Sequence, residues 1–104
     1  MLPLEKVRNL IDRHSKIEKK LASQEINKDE FAELSKEYSE LNEIIKPATN
    51  YLNYKTEFED LNIIINDINT DNEMKELALI EIDRLKENHK INEKKIKLYL
   101  LPKD

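Results

Sequence analysis

A chain of 104 residues with no cysteine, no glycine and a formal net charge of −4 excludes several chemistries before any motif is sought. Without cysteine there is no disulfide framework, thiolate chemistry or zinc–cysteine site, and without glycine there is no phosphate-cradling loop, dinucleotide fingerprint or nucleophile elbow, each of which needs backbone that only glycine supplies cheaply. Hydrophobic and charged residues at 38% each imply one small domain with a narrow core under a charged exterior, and the acidic balance argues against a DNA-coating module, which draws its affinity from clustered Lys and Arg.

In chain order, Pro3 suits a first helical turn, and the stripe Val7, Leu10, His14, Ile17, Leu21 advances in steps of three and four, predicting an amphipathic helix over about 3–23. Asn27 with Glu30 three residues on has the layout of a capping box and opens a second stripe, Phe31, Leu34, Tyr38, Leu41, Ile45, Ala48. Steps of three through Tyr51 and Tyr54 then turn the apolar face, as in a stammer, before Phe58, Leu61, Ile65 and Ile68. Pro47 lies at that slip, where it removes one hydrogen bond and clashes with the carbonyl of Glu43. The reading is one long helix over about 28–68, kinked just before Pro47, with two separate short helices as the alternative.

Thr70-Asp71-Asn72-Glu73 reads as a better capping box, with Thr70 as N-cap and Glu73 reaching back. A third helix over about 71–100 follows, with acids first and Lys90, Lys94, Lys95 and Lys97 last, matching the macrodipole. Its stripe is Ala78, Ile82, Leu85, His89, Ile96, Tyr99. The expected fold is all-α: an elongated antiparallel three-helix bundle spanning residues 1–104 as a single domain, its middle helix roughly 60 Å long and its outer helices roughly 30 and 45 Å.

Candidate chemistry is sparse. His14 and His89 both lie on apolar stripes without a second histidine at helical spacing, so each reads as a packed histidine rather than a metal ligand or catalyst. The four lysines complement a helix C-terminus more simply than they grip phosphate, and Tyr38, Tyr51, Tyr54 and Tyr99 recur at core spacing rather than as a stacking platform. Carboxylate pairs such as Glu37 with Glu40 and Glu57 with Asp60 sit on lysine-rich faces with no dry pocket to raise a pKa. No catalytic, cofactor-binding or metal residue is expected. The longest apolar run, Ile63 to Ile65, is far too short to cross a bilayer, and residues 1–20 are too charged for a secretory signal, so the expectation is a cytoplasmic protein with no membrane partner.

Three stretches in order, FAELSKEYSELNEII (31–45), DNEMKELALIEIDRL (71–85) and LYLLPKD (98–104), resemble the N-terminal helical domain of the bacterial class I peptide-chain release factors, of the type that reads UAA and UAG. The Leu-Leu-Pro-Lys-Asp ending resembles that family's junction between the helical domain and the decoding and catalytic body, which implies a chain cut off there. Asn72 departs from the proline usual in the family. Pro47-Ala48-Thr49 mimics the family's stop-codon tripeptide but falls in the wrong domain, and no decoding role is carried over. The Gly-Gly-Gln motif that promotes peptidyl-tRNA hydrolysis is absent from a chain without glycine, so no enzymatic activity is implied. The resemblance implies a monomeric accessory arm that contacts the ribosome at the stalk base of the large subunit and cooperates with the recycling GTPase, with contact residues unassigned. The alternative is a free-standing helical interaction module that dimerises through Val7, Leu10, Ile17 and Leu21.

Overall fold

The computed structural model describes residues 1–102. Four helices follow one another, α1 (Leu4–Ser23), α2 (Lys28–Asn42), α3 (Ile45–Asn66) and α4 (Asn72–Leu100), with no strand among the described residues. In α1 the carbonyl of Pro3 accepts from Lys6 N at 3.1 Å and Val7 N at 3.4 Å, so proline sits just outside the helix as its N-cap. Gln24 ends α1 with φ 62° and ψ 13°, a left-handed cap that usually falls to glycine. Asn27 starts α2, its Oδ1 accepting from Glu30 N at 2.8 Å. The reciprocal half of the box is replaced by an ion pair from the Glu30 carboxylate to Lys20 Nζ at 2.7 Å.

The single helix expected over 28–68 is divided in two. Glu43 N and Ile44 N bond the carbonyls of Glu40 and Leu41, at 3.2 and 3.0 Å, a tightened i to i−3 turn that ends α2. α3 then restarts with Ile44 as N-cap, which places Pro47 in its first turn, where the missing N–H costs nothing. The turn also brings Ile44 into the core in place of Ile45: Leu41, Ile44, Ala48 and Tyr51 are buried while Ile45 is half-buried. The same turn absorbs the stammer read from the sequence.

Two further boundaries differ from expectation. α3 stops at Asn66, and Ile68, expected on its stripe, is 91% exposed. Asp67 Oδ1 accepts from Asn69 N at 2.9 Å and Asp67 O from Thr70 N at 3.1 Å, a side-chain-closed turn that competes with the helix. That turn leaves Asp71, not Thr70, as the N-cap of α4, its Oδ1 accepting from Met74 N at 2.8 Å. At the far end the chain leaves α4 extended at Leu101 (φ −64°, ψ 141°), as a residue before proline prefers. Lys103 and Asp104 of the junction sequence lie outside the described residues.

The packing places α1 along α2 and the first half of α3, while α4 packs along α3. One buried cluster joins Val7, Ile17, Leu41, Ile44, Ala48, Tyr51 and Ile96, so α1 spends its stripe inside the molecule. Beyond Leu52 that cluster ends, and Ala78 and Ile82 are buried outside it, between α3 and α4. The molecule measures 60 × 32 × 19 Å with a radius of gyration of 18.4 Å, where a compact domain of this length has about 13 Å. It is an elongated arm with a three-helix middle and a helical hairpin at each end.

Candidate functional site

The structure gathers polar chemistry at two places along the helices, and both are built on a histidine packed against tyrosine. His14 of α1 stacks on Tyr38 of α2 with 4.6 Å between ring centroids, and its Nε2 lies 2.6 Å from Asn42 Oδ1. The Tyr38 hydroxyl donates to Glu18 at 3.0 Å, and that hydrogen bond raises the pKa of the phenol. The Asn42 and Tyr38 bonds both cross from α1 to α2.

His89 of α4 is held between Tyr51 and Tyr54, at 4.6 and 3.7 Å between centroids. Its Nδ1 is buried without a hydrogen-bond partner, and burial lowers its pKa while Glu93 pulls it the other way. Next to this stack, Leu2 N donates to the Tyr51 hydroxyl at 3.2 Å, and the hydroxyl donates to Glu93 Oε2 at 3.3 Å. Glu93 also accepts from Lys97 Nζ at 3.0 Å and lies 3.9 Å from the Met1 ammonium. These partners, Lys97 foremost, hold the Glu93 carboxyl below its ordinary pKa. The network ties the chain start to α3 and α4. Its Glu93–Lys97 edge is legible as an i,i+4 pair; the Tyr51 and Leu2 contacts are not, because they join residues 42 and 49 positions apart.

An apolar depression of about 500 Å³, bordered by Leu4, Arg8, Leu52, Tyr54, Lys55 and His89, opens beside the stack. A smaller one of about 150 Å³ between α3 and α4 is lined by Asn50, Asn88 and Asn92 with Glu57 and Glu81. Neither presents a nucleophile beside a base. Among the described residues no three His, Asp or Glu side chains are grouped to hold a metal ion, and His14 and His89 lie in separate networks. Lys90, Lys94, Lys95 and Lys97 are all exposed on the last turns of α4.

Of the carboxylate pairs, Glu37 is taken by Arg13, whose Nε and Nη2 reach its two oxygens at 2.6 and 2.8 Å. That bidentate bond lowers the Glu37 pKa and raises that of Arg13. Tyr99, half-buried against the core, has its pKa raised by burial and then by the nearby Glu40, Glu37 and Glu43. The tripeptide Pro47-Ala48-Thr49 is committed to α3: Ala48 is buried and the Thr49 hydroxyl donates to Ile45 O at 2.8 Å. What the arrangement offers is surface for contact, on an arm whose polar networks hold its own helices.

The PCRF domain family matches residues 10–104. The chain is 51% identical over 104 residues to peptide chain release factor 1 of Pelagibacter ubique (strain HTCC1062), covering all of this chain and 29% of that protein. It is 35% identical over 103 residues to peptide chain release factor 1 of Rhizobium rhizogenes (strain K84 / ATCC BAA-868), covering 99% of this chain and 28% of that protein. The chain thus spans under a third of the length of these relatives. No solved structure matches it.

Proposed function

Because the chain belongs to the PCRF domain family, and its relatives are peptide chain release factors, we propose that it is the ribosome-contacting accessory arm of a translation termination factor. The observation that carries the reading is the family match over residues 10–104, supported by a fold with two exposed hairpin ends. In this reading α2 and α3 act as one bent middle element between α1 and α4, residues 1–104 form one domain, and decoding and hydrolysis belong to other domains of the factor. The arm itself is not an enzyme, since the sequence contains no glycine from which a Gly-Gly-Gln loop could be built. The finer parts of the reading are UAA and UAG specificity for the parent factor, contact with the stalk base of the large subunit, cooperation with the recycling GTPase, a monomeric state and a cytoplasmic location. Among the described residues no helix is long and apolar enough to cross a membrane.

The alternative of a module that dimerises through the α1 stripe is disfavoured, because Val7 and Ile17 are buried within the chain. Co-sedimentation of the purified chain with bacterial 70S ribosomes tests the proposal. The expected result is weak pelleting that falls with added salt, no hydrolysis of peptidyl-tRNA, and a monomer by analytical sedimentation. Hydrolysis by the purified chain, or no pelleting at low salt, would refute it.

A further inference from the structure

The apolar depression of about 500 Å³ beside the His89 stack lies where α1 begins, in the three-helix middle and away from both hairpin turns. One cavity there joins Leu4 of α1 with Leu52 and Tyr54 of α3, and brings Arg8 and Lys55 to the same border. Leu4 precedes Val7 by the three-residue step of the α1 stripe, yet Val7 is fully closed and Leu4 is 47% exposed. The stripe thus starts before its cover does. A volume of this size falls within the range of about 300–1,000 Å³ typical of ligand pockets, with room for one large apolar group.

The charge around the cavity restricts what can fill it. Residues 1–11, 44–56 and 84–97, from which its walls are drawn, carry ten cations against three carboxylates, although the whole chain is −4. The acids lie elsewhere: residues 57–83 hold nine against the single cation Lys75, and residues 12–36 are balanced at six of each sign. Among the described residues neither Arg8 nor Lys55 is held in an ion pair, whereas Arg13, Lys20 and Lys97 are. Asp12 and Glu59, each four residues further on, leave them free. Two uncommitted cations beside an apolar cavity attract an anion with an apolar body.

The aromatic rings in the wall argue against a nucleobase as that body. His89 lies between Tyr51 and Tyr54 at 4.6 and 3.7 Å between centroids, and Tyr54 meets Phe58 at 5.8 Å, so the ring faces are spent on one another and offer no stacking platform. Leu4 and Leu52 cannot bond the edge of a base. They can cover an aliphatic or aromatic side chain.

We propose that the depression bordered by Leu4, Leu52, Tyr54, Arg8 and Lys55 is a docking site for a protein segment that carries one large apolar side chain flanked by carboxylates. The side chain fills the cavity and the carboxylates meet Arg8 and Lys55. The proposal goes beyond the ribosome reading and does not depend on it, and its test contains no ribosomes.

The probe is a synthetic, end-capped peptide of four glutamates around one phenylalanine, titrated into the isotope-labelled chain and followed by amide NMR shifts. Saturable shifts concentrated at 4–8, 52–56 and 89 are expected. The affinity should fall about tenfold when serine replaces the phenylalanine of the peptide, and by a similar factor in Leu4→Ser and in Arg8→Gln/Lys55→Gln. These are exposed positions whose folding is checked by circular dichroism, and the serine peptide asks the apolar question of the unaltered chain should Leu4→Ser not fold. Lys16→Gln/Lys19→Gln, which removes two cations far from the cavity, should leave the affinity unchanged. No saturation by about 1 mM peptide, shifts spread along the lysines of α4, an affinity indifferent to the phenylalanine, or an equal loss in Lys16→Gln/Lys19→Gln would each overturn the proposal. A single-stranded oligouridine is then added as competitor. The peptide is expected to keep its site; displacement from the same amides by a tighter-binding RNA would assign the cavity to nucleic acid and overturn the proposal as well.

Discussion

The two hairpin ends, residues 12–36 and 57–83, are alike in length and helical content, yet they hold their helices together by different means. At the α1–α2 end the charges are spent on each other: Arg13 clasps Glu37 at 2.6 and 2.8 Å, Lys20 reaches Glu30 at 2.7 Å and Tyr38 bonds Glu18 at 3.0 Å. Of the large apolar residues there, Phe31 is the one markedly exposed. At the α3–α4 end, among the described residues, no ion pair crosses between the helices beyond the Tyr51–Glu93 region. The main polar contact is the Lys86 ammonium 5.7 Å over the Phe58 ring. Exposed ion pairs are worth only about 0–1 kcal/mol each, so the stitching of the first end fixes register more than it adds stability. The comparison teaches that one end is finished within the chain, whereas the other leaves both its apolar surface and its charge unanswered.

The comparison is broken or sharpened most strongly by core truncation. Ile96→Ala, at a position with 0% exposure where α4 meets the shared core, is expected to cost about 3 kcal/mol in urea unfolding, while Ile80→Ala at the tip, 63% exposed, changes stability by less than about 0.5 kcal/mol. Equal losses would mean that the tip is packed as tightly as the middle. Next comes Ile82→Ala, buried between α3 and α4 alone. A loss of about 2 kcal/mol should appear as faster amide exchange confined to 57–88, with the amides around Ile17 keeping their protection. Uniform loss of protection would show that arm and middle unfold as one unit.

A smaller effect separates the two by pH. Burial holds the folded-state pKa of His89 below its ordinary 6.5, so the unfolded chain takes up the proton first as pH falls. Stability contributed by the neutral ring is whole above about pH 6.5 and is lost as pH drops through the folded value. His89→Phe keeps a ring between Tyr51 and Tyr54 and should flatten the stability curve just below neutrality. The more acidic limb, from Glu37 and Glu93, should remain: their lowered folded pKa values make their contribution whole above the ordinary 4.5 and lost below it. An unchanged slope below neutrality in the variant would exclude His89 as its source. The smallest expected change is at the α1–α2 turn, where Gln24→Gly should gain about 0.5 kcal/mol by relieving the left-handed cap, read as a slight rise in Tm.

Much of the molecule was legible in its residues. The apolar stripes located α1, α4 and the span that α2 and α3 share, Asn27 marked a start that the structure keeps, and the split of acids and lysines along α4 is visible without coordinates. The errors cluster where local geometry had competitors. Thr70 lost the cap to Asp71 because Asp67 closes a turn just upstream, and the middle helix divided because the chain could place Pro47 in a first turn at the cost of one tightened turn. Family membership was legible in three ordered segments; the contact surface was not.

The sequence by itself determined that this chain is helical, that it lacks the glycine for a hydrolytic loop, and that residues 12–36 and 57–83 differ in charge, since periodicity, composition and charge are properties of single residues and their spacing. Only the tertiary structure decided which apolar residues stay uncovered. Leu77 and Ile80 are as apolar as Ile82 and Ile96, yet Ile96 is buried in the core that α1 shares and Ile82 on the face of α4 that packs against α3, whereas Leu77 and Ile80 lie on faces of α4 that no third helix covers.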